Sequence, residues 1–266
     1  GKAVAGLIKS KLGRDLEPFD IWYNGFKGRA GIRESELDRA VSARYRSAAD
    51  FEKDIANILE KLGFARETAQ FVAARVEVNA SRGAGHAWGP GMRAEKAHLR
   101  TRVPSDGMNY LGFNIAMHEL GHCTEQVFSM CKIDHTLLEG VPNTAFTEGF
   151  AFVFQDRDME VLGRGKPGKD SESLKALDSF WSTREIAGVA LVDMNVWRWL
   201  YQNRDATPED LRQAVDVIAR GVWDKHFAPV FGKSSPLLAV YSHMINGGMY
   251  LPDYPLGHLI AFQIEG

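Results

Sequence analysis

Apolar positions recur at helical spacing along most of the chain, and strictly alternating stretches are almost absent, which predicts a mainly α fold. In residues 47–62 (SAADFEKDIANILEKL), Phe51, Ile55, Ile58 and Leu59 form one apolar stripe that Gly63 ends, the pattern of an amphipathic helix. The spacing continues through Ala69, Val72, Ala73 and Val76, so residues 65–78 read as a further helix. Residues 79–90 (NASRGAGHAWGP) then bring three glycines and a proline, which stop it. Residues 92–103 (MRAEKAHLRTRV) are the one segment read as a small β hairpin or edge strand. Helical spacing returns over residues 108–131, 144–162 and 171–202. Thr207, Pro208, Glu209 and Asp210 make a cap, a proline and an acidic first turn for a helix running to about Phe231. A last helical pair, 236–245 and 254–265, flanks the turn-rich segment NGGMYLPD. No linker, repeat or low-complexity tract divides the 266 residues, which therefore read as a single domain, 1–266.

Charge changes this picture by exclusion. The 34 acidic and 32 basic residues leave a net charge of -2 with no long block of one sign, so a nucleic-acid partner held by bulk charge is not expected. The most apolar long stretch, 186–201, contains Asp193 and Arg198, and no membrane span is read. Cys123 and Cys131 are the only cysteines, too few for a disulfide framework or a four-thiolate zinc site. With no signal peptide read either, a reducing, cytoplasmic setting is the expectation.

The chemistry concentrates in His118-Glu119-Leu120-Gly121-His122, an instance of H-E-x-x-H inside a helical stretch. Histidines four residues apart share a helix face and can offer both imidazoles to one Zn²⁺, with Glu119 placed to reach a water activated by the metal. A third protein ligand is then needed. Glu148, 26 positions after His122, lies in NTAFTEGFAFVFQ, a segment apolar nearly all round, where an ionised carboxylate needs a partner. His135 and Glu139 are alternative third ligands. An outer carboxylate should orient one of the histidines, with Asp156 and Asp193 among the candidates. Cys123 projects away from the ligand face and reads as a small buried hydrophobe.

These residues resemble the gluzincin metallopeptidases, whose metal is held by two histidines and a glutamate on a second helix. The stretch YSHMINGGMYLPDYPLGHLIAFQ, 241–263, is similar to the closing segment of the carboxypeptidase Taq family, with Tyr250, Pro252, Tyr254, Leu256 and Gly257 at matching places. Around the third ligand the chain has Thr147, Glu148, Gly149 and Phe150, where that family has a His-Glu-Ser-Gln run. In that family, and in the thimet oligopeptidase and oligoendopeptidase F group, a histidine and a tyrosine of the closing region bond the tetrahedral intermediate. The resemblance carries those roles to His243 and to Tyr254, or alternatively Tyr250. Residues 82–103 look like the substrate-edge strand and basic segment that precede the metal helix in these enzymes. Gly85 and His86 would then face substrate, and Arg100 and Arg102 could grip the carboxylate of a peptide C-terminus.

The reading is thus a helical zincin-type catalytic domain, hydrolysing short peptides with Glu119 as general base and acid. Zn²⁺ is the expected cofactor, with Co²⁺ or Mn²⁺ compatible with the same donors. Carboxypeptidase and oligoendopeptidase action both stay open, and a homodimer is an expectation of the resemblance alone. The competing class is a catalytically silent, zinc-binding helical domain that holds peptides or a protein partner.

Overall fold

In the computed structural model, which describes residues 1–138, 140, 142–164, 168, 170–241 and 243–265, the chain is mainly α with one small sheet. In order it forms α1 (Lys2–Leu12), α2 (Glu34–Arg44), α3 (Ala48–Lys61), α4 (Arg66–Ala73), β1 (Val76–Ser81), β2 (His86–Trp88), β3 (Ala97–Arg102) and α5 (Tyr110–Lys132). There follow α6 (Thr144–Asp156), α7 (Asp158–Val161), α8 (Ser171–Gln202), α9 (Pro208–His226), α10 (Ala228–Phe231) and α11 (Asp253–Glu265). No described helix is long and apolar enough to cross a membrane. Backbone contacts group the chain into two compact units, Gly1–Lys27 with Lys169–Phe262 and Gly28–Gly168 with Gln263–Gly266. Each has its own apolar core.

The second of these units holds the sheet. The stripe of α3 buries Phe51, Ile55, Ile58 and Leu59, and the helix starts with a reciprocal cap in which Ser47 and Asp50 each accept the other's backbone N–H. The helix read over 65–78 ends early. Only Arg66–Ala73 is helical, and Val76–Ser81 is strand, because Val76 and Val78 turn inward while Glu77 and Asn79 turn outward, a period of two that outweighs the helical spacing before it. The segment read as hairpin or edge strand supplies β3, which lies in the middle of the order β1-β3-β2. It pairs parallel with β1, Val76 opposite Ala97, and antiparallel with β2, Trp88 opposite His98. Val76, Val78, Ala97, Leu99 and Thr101 bury one sheet face, and the Thr101 hydroxyl donates to the Gly112 carbonyl of α5 at 2.6 Å. The helix read over 144–162 breaks at Arg157 into α6 and α7.

In the other unit, α8 runs unbroken over 32 residues, the longer of the two forms, one long helix or a kinked one, that its sequence allows. The helix expected to reach Phe231 breaks at Phe227, and Pro229, which has no N–H, falls in the first turn of α10. Residues 236–245 do not form the expected helix. A single 3₁₀ turn at Leu237–Ala239 gives way to backbone with positive φ at His243 (67°) and Ile245 (74°). The Ile245 N–H there donates to the buried Asp193 carboxylate at 3.3 Å, a bond to a side chain in place of a helical carbonyl.

Candidate metal centre

Two helix starts aim the ligands. Asn109 caps α5 by accepting the Gly112 N–H at 2.9 Å, and Asn143 caps α6 by accepting the Phe146 N–H at 3.1 Å. The two helices then approach closely at Gly121. A Cβ built there would lie 2.6 Å from the Ala151 Cα, inside any real carbon contact, so the glycine within HELGH is what lets the α6 backbone pack against the helix that carries both histidines.

This approach brings His118, His122 and Glu148 together as a cluster able to hold a metal ion. Nε2 of His118 lies 3.2 Å from Nε2 of His122 and 3.3 Å from Glu148 Oε2, while His122 Nε2 lies 3.5 Å from Glu148 Oε1. Ligand atoms at the usual Zn–N and Zn–O lengths, set at the tetrahedral angle, are about 3.3–3.5 Å apart. Two imidazole nitrogens and a carboxylate converging at this spacing need a cation among their lone pairs, a proton or a metal ion. Glu148 is 1% exposed. Burial by itself raises its carboxyl, but hydrogen bonds and charge from His118 and His122 outweigh that and hold it well below the usual carboxylate range. At His122 burial lowers the imidazole, and Glu148 together with Glu119 and Glu125 outweighs that and raises it. His135 is exposed and outside the cluster, and Glu139 lies outside the described residues.

The orientation of His118 is set by a hydrogen-bonded chain of fixed direction. Its Nδ1 lies 3.1 Å from Gln155 Oε1, Gln155 Nε2 donates to Asn114 Oδ1 at 2.8 Å, and Asn114 Nδ2 donates to Asp158 Oδ2 at 2.7 Å. The Tyr110 hydroxyl donates to the same Asp158 oxygen. A carboxylate only accepts, so Asn114 must turn its NH₂ toward Asp158 and its oxygen toward Gln155. Gln155 in turn presents its oxygen to His118, which selects the Nδ1–H tautomer and leaves the Nε2 lone pair directed at the cluster. Asp158 is 5% exposed, and burial together with that carboxylate raises the Tyr110 phenol, so Tyr110 stays a donor. The Phe152 ring, 5.2 Å from the His118 ring, closes one side of the imidazole.

Sequence reasoning looked for a carboxylate among Asp156 and Asp193 and missed this chain. Asp193 belongs to the other unit, where it receives Ile245 N–H. The missed signal was local: Tyr110, Asn114, His118 and His122 recur every four residues along α5, and Gln155 stands seven residues, two turns, after Glu148 on α6.

Glu119 is 8% exposed and its carboxyl is raised, first by burial and then by Glu148, against the lowering effect of His118, His122 and His86. Gly85 lies against it. A Cβ at Gly85 would meet the Ile115 side chain at 2.1 Å and Glu119 Oε1 at 2.9 Å, so a bare backbone is required where the chain passes the carboxylate just before β2. His86 follows on β2, exposed and electrostatically coupled to Glu119. Opposite it on β3, Arg100 is exposed with its guanidinium 5.1 Å from the Trp88 ring centre, and Trp88 stacks on His98 at 4.9 Å. Arg102 is engaged elsewhere, its Nε donating to the Gly83 carbonyl at 2.8 Å. Cys123 is fully buried, as its place on the helix indicates.

The structure therefore gathers His118, Glu119, His122, Glu148, Gly85 and His86 within one unit. His243, Tyr250 and Tyr254 belong to the other unit, where their rings cluster, His243 5.9 Å from Tyr250 and Tyr250 5.4 Å from Tyr254. No protein-family model matches the chain, and no curated protein or solved structure is significantly similar to it.

Proposed function

We propose that the chain is a zinc-dependent metallopeptidase that hydrolyses peptide bonds of short peptides. The observation that carries this reading is the 3.2 to 3.5 Å spacing of the His118, His122 and Glu148 ligand atoms, with the buried Glu119 carboxylate one residue from His118 on the same helix. His118, His122 and Glu148 would hold the ion, and the mixed nitrogen and oxygen donor set suits Zn²⁺, with Co²⁺ and Mn²⁺ as substitutes. A cation bound there supplies Lewis acidity toward water and toward a peptide carbonyl.

The proton work falls to Glu119. Its carboxylate takes a proton from the attacking water and returns it to the departing amine. Burial raises its carboxyl, which makes the carboxylate a stronger base for the first of these transfers. The chain from Asp158 to His118 keeps one imidazole lone pair on target without a proton having to move. The bare backbone at Gly85 lies directly against Glu119 and Ile115, and His86 follows it on the exposed side of β2, where a substrate would pass. Of the two arginines read as carboxylate grips, Arg100 is the stronger candidate, because Arg102 already serves the Gly83 carbonyl.

Glu119→Gln tests the reading. It should retain stoichiometric zinc while peptide cleavage falls by about 10²–10⁴-fold. Undiminished cleavage in the variant would remove Glu119 from the mechanism. Zinc bound tightly by a wild-type chain that cuts nothing in a broad peptide mixture would favour the silent binding domain. Amidating the C-terminus of a cleaved peptide separates the two activities, since a carboxypeptidase using Arg100 loses that substrate and an oligoendopeptidase keeps it.

A further inference from the structure

The unit built from α1 and α8–α11 contains a cavity of about 550 Å³ that has no part in the metal centre. One face of α8 supplies Phe180, Arg184 and Leu191, the end of α9 leads into Phe227, and α11 supplies Leu259 and Phe262. Phe180, Leu259 and Phe262 keep 43%, 51% and 49% of their surface exposed, far more than apolar side chains in a closed core retain. The volume falls in the range of small-molecule sites.

Arg184 is the one charged side chain in this lining. Its guanidinium lies over the Phe227 ring, 4.9 Å from the centre, and Nη2 donates to the His226 carbonyl at the end of α9. Nε is buried and has no hydrogen-bond partner. Burial pulls the guanidinium below its ordinary value with no charged group offsetting it, so among the described residues no carboxylate balances this cation. A cation in an apolar wall with a spare N–H and no counter-ion is expensive unless something anionic arrives to meet it.

We propose that this cavity binds a free medium-chain fatty acid, its hydrocarbon tail along Leu191, Leu259 and Phe262 and its carboxylate on Arg184. The planar guanidinium fork matches a carboxylate, and the Ser179 and Thr183 hydroxyls at the same wall are available as further donors. From Arg184 to Leu191 the helix advances about 10 Å, roughly the length of an extended octanoyl chain. The proposal is independent of the metallopeptidase reading and stands or falls without it.

Calorimetric titration of the full chain with decanoate, and with 1-decanol as the same tail without the charge, tests it. Decanoate should bind saturably at one site and at least tenfold more tightly than decanol. Arg184→Met keeps the stack on Phe227 but removes the charge, and should weaken decanoate at least tenfold while leaving decanol unchanged. Leu191→Trp fills the cavity and should weaken both ligands, which keeps the test decisive if Arg184→Met does not fold. Thermal unfolding of each variant serves as the control for folding. Equal binding of the two ligands, indifference to both variants, or no saturable binding at millimolar ligand would overturn the proposal. A concentration-dependent dimer that Leu191→Trp abolishes would overturn it as well, by giving the face to a second copy of the chain.

Discussion

Replacing Gly121 with alanine sets two effects of known size against each other. On an isolated helix, alanine gains about 1 kcal/mol over glycine. Here the added Cβ would sit 2.6 Å from the Ala151 Cα and 3.3 Å from its Cβ. Carbon atoms rest at about 3.5–4.0 Å, so α5 and α6 must separate by about 1 Å, and overpacking of this kind costs about 1–3 kcal/mol. The net loss of stability is therefore modest, up to about 2 kcal/mol. The loss at the metal centre is not. The 3.3 and 3.5 Å distances from the histidine nitrogens to Glu148 cross the same helix pair and would open with it, whereas metal sites tolerate errors of about 0.2 Å. Zinc affinity, measured by competition with a chromophoric chelator, should fall more than about a hundredfold, beyond what loss of an outer hydrogen bond causes. Thermal unfolding in excess chelator measures the packing cost apart from the metal. Wild-type zinc affinity together with an unchanged or higher unfolding temperature would refute the argument that this glycine sets the ligand geometry.

Other variants probe the chain behind His118. Gln155→Leu removes the acceptor for Nδ1–H and should lower zinc affinity by about 10–100-fold, while Gln155→Glu keeps that acceptor but loses the N–H given to the Asn114 oxygen and should fall between the leucine variant and wild type. Equal affinities for the two variants would mean that the tautomer is set elsewhere. Tyr110→Phe deletes one buried hydrogen bond to Asp158 and should cost about 1–3 kcal/mol in denaturant unfolding, with Asn114 still in place. Cys123 is fully buried, and burial, reinforced by the Glu119 charge, pushes its thiol up, so only Cys131 should react with a thiol reagent in the native protein and both in guanidinium. Two fast-reacting thiols without denaturant would contradict the packing of α5.

Features carried by local spacing were legible in the chain. The i, i+4 pair of histidines, the lone glutamate in the Phe-rich α6 and the stripe of α3 each follow from helix periodicity alone. Boundaries that depend on a partner were not. Val76 and Val78 continue a helical pattern on paper and become a strand only because β3 lies alongside them. The 236–245 segment has helical composition, yet its Ile245 N–H goes to Asp193, and His243 and Ile245 take positive φ there, as Met249 does just beyond it. Asp158 shows no local sign of its role, because its link to His118 passes through Asn114 on one helix and Gln155 on another. Gly121 looked like an ordinary glycine, and Gly85 was read only as a substrate-facing position, because nothing in the sequence shows that Ala151, and Ile115 with Glu119, occupy the space of a side chain there.

The central claim is that His118, His122 and Glu148 form one metal site. Elemental analysis of the purified chain after zinc reconstitution and removal of excess metal, run beside Glu148→Ala, tests it most directly. One zinc per wild-type chain is expected, with zinc lost or greatly weakened in the variant. No retained metal in the wild type, or equal zinc in both proteins, would contradict it.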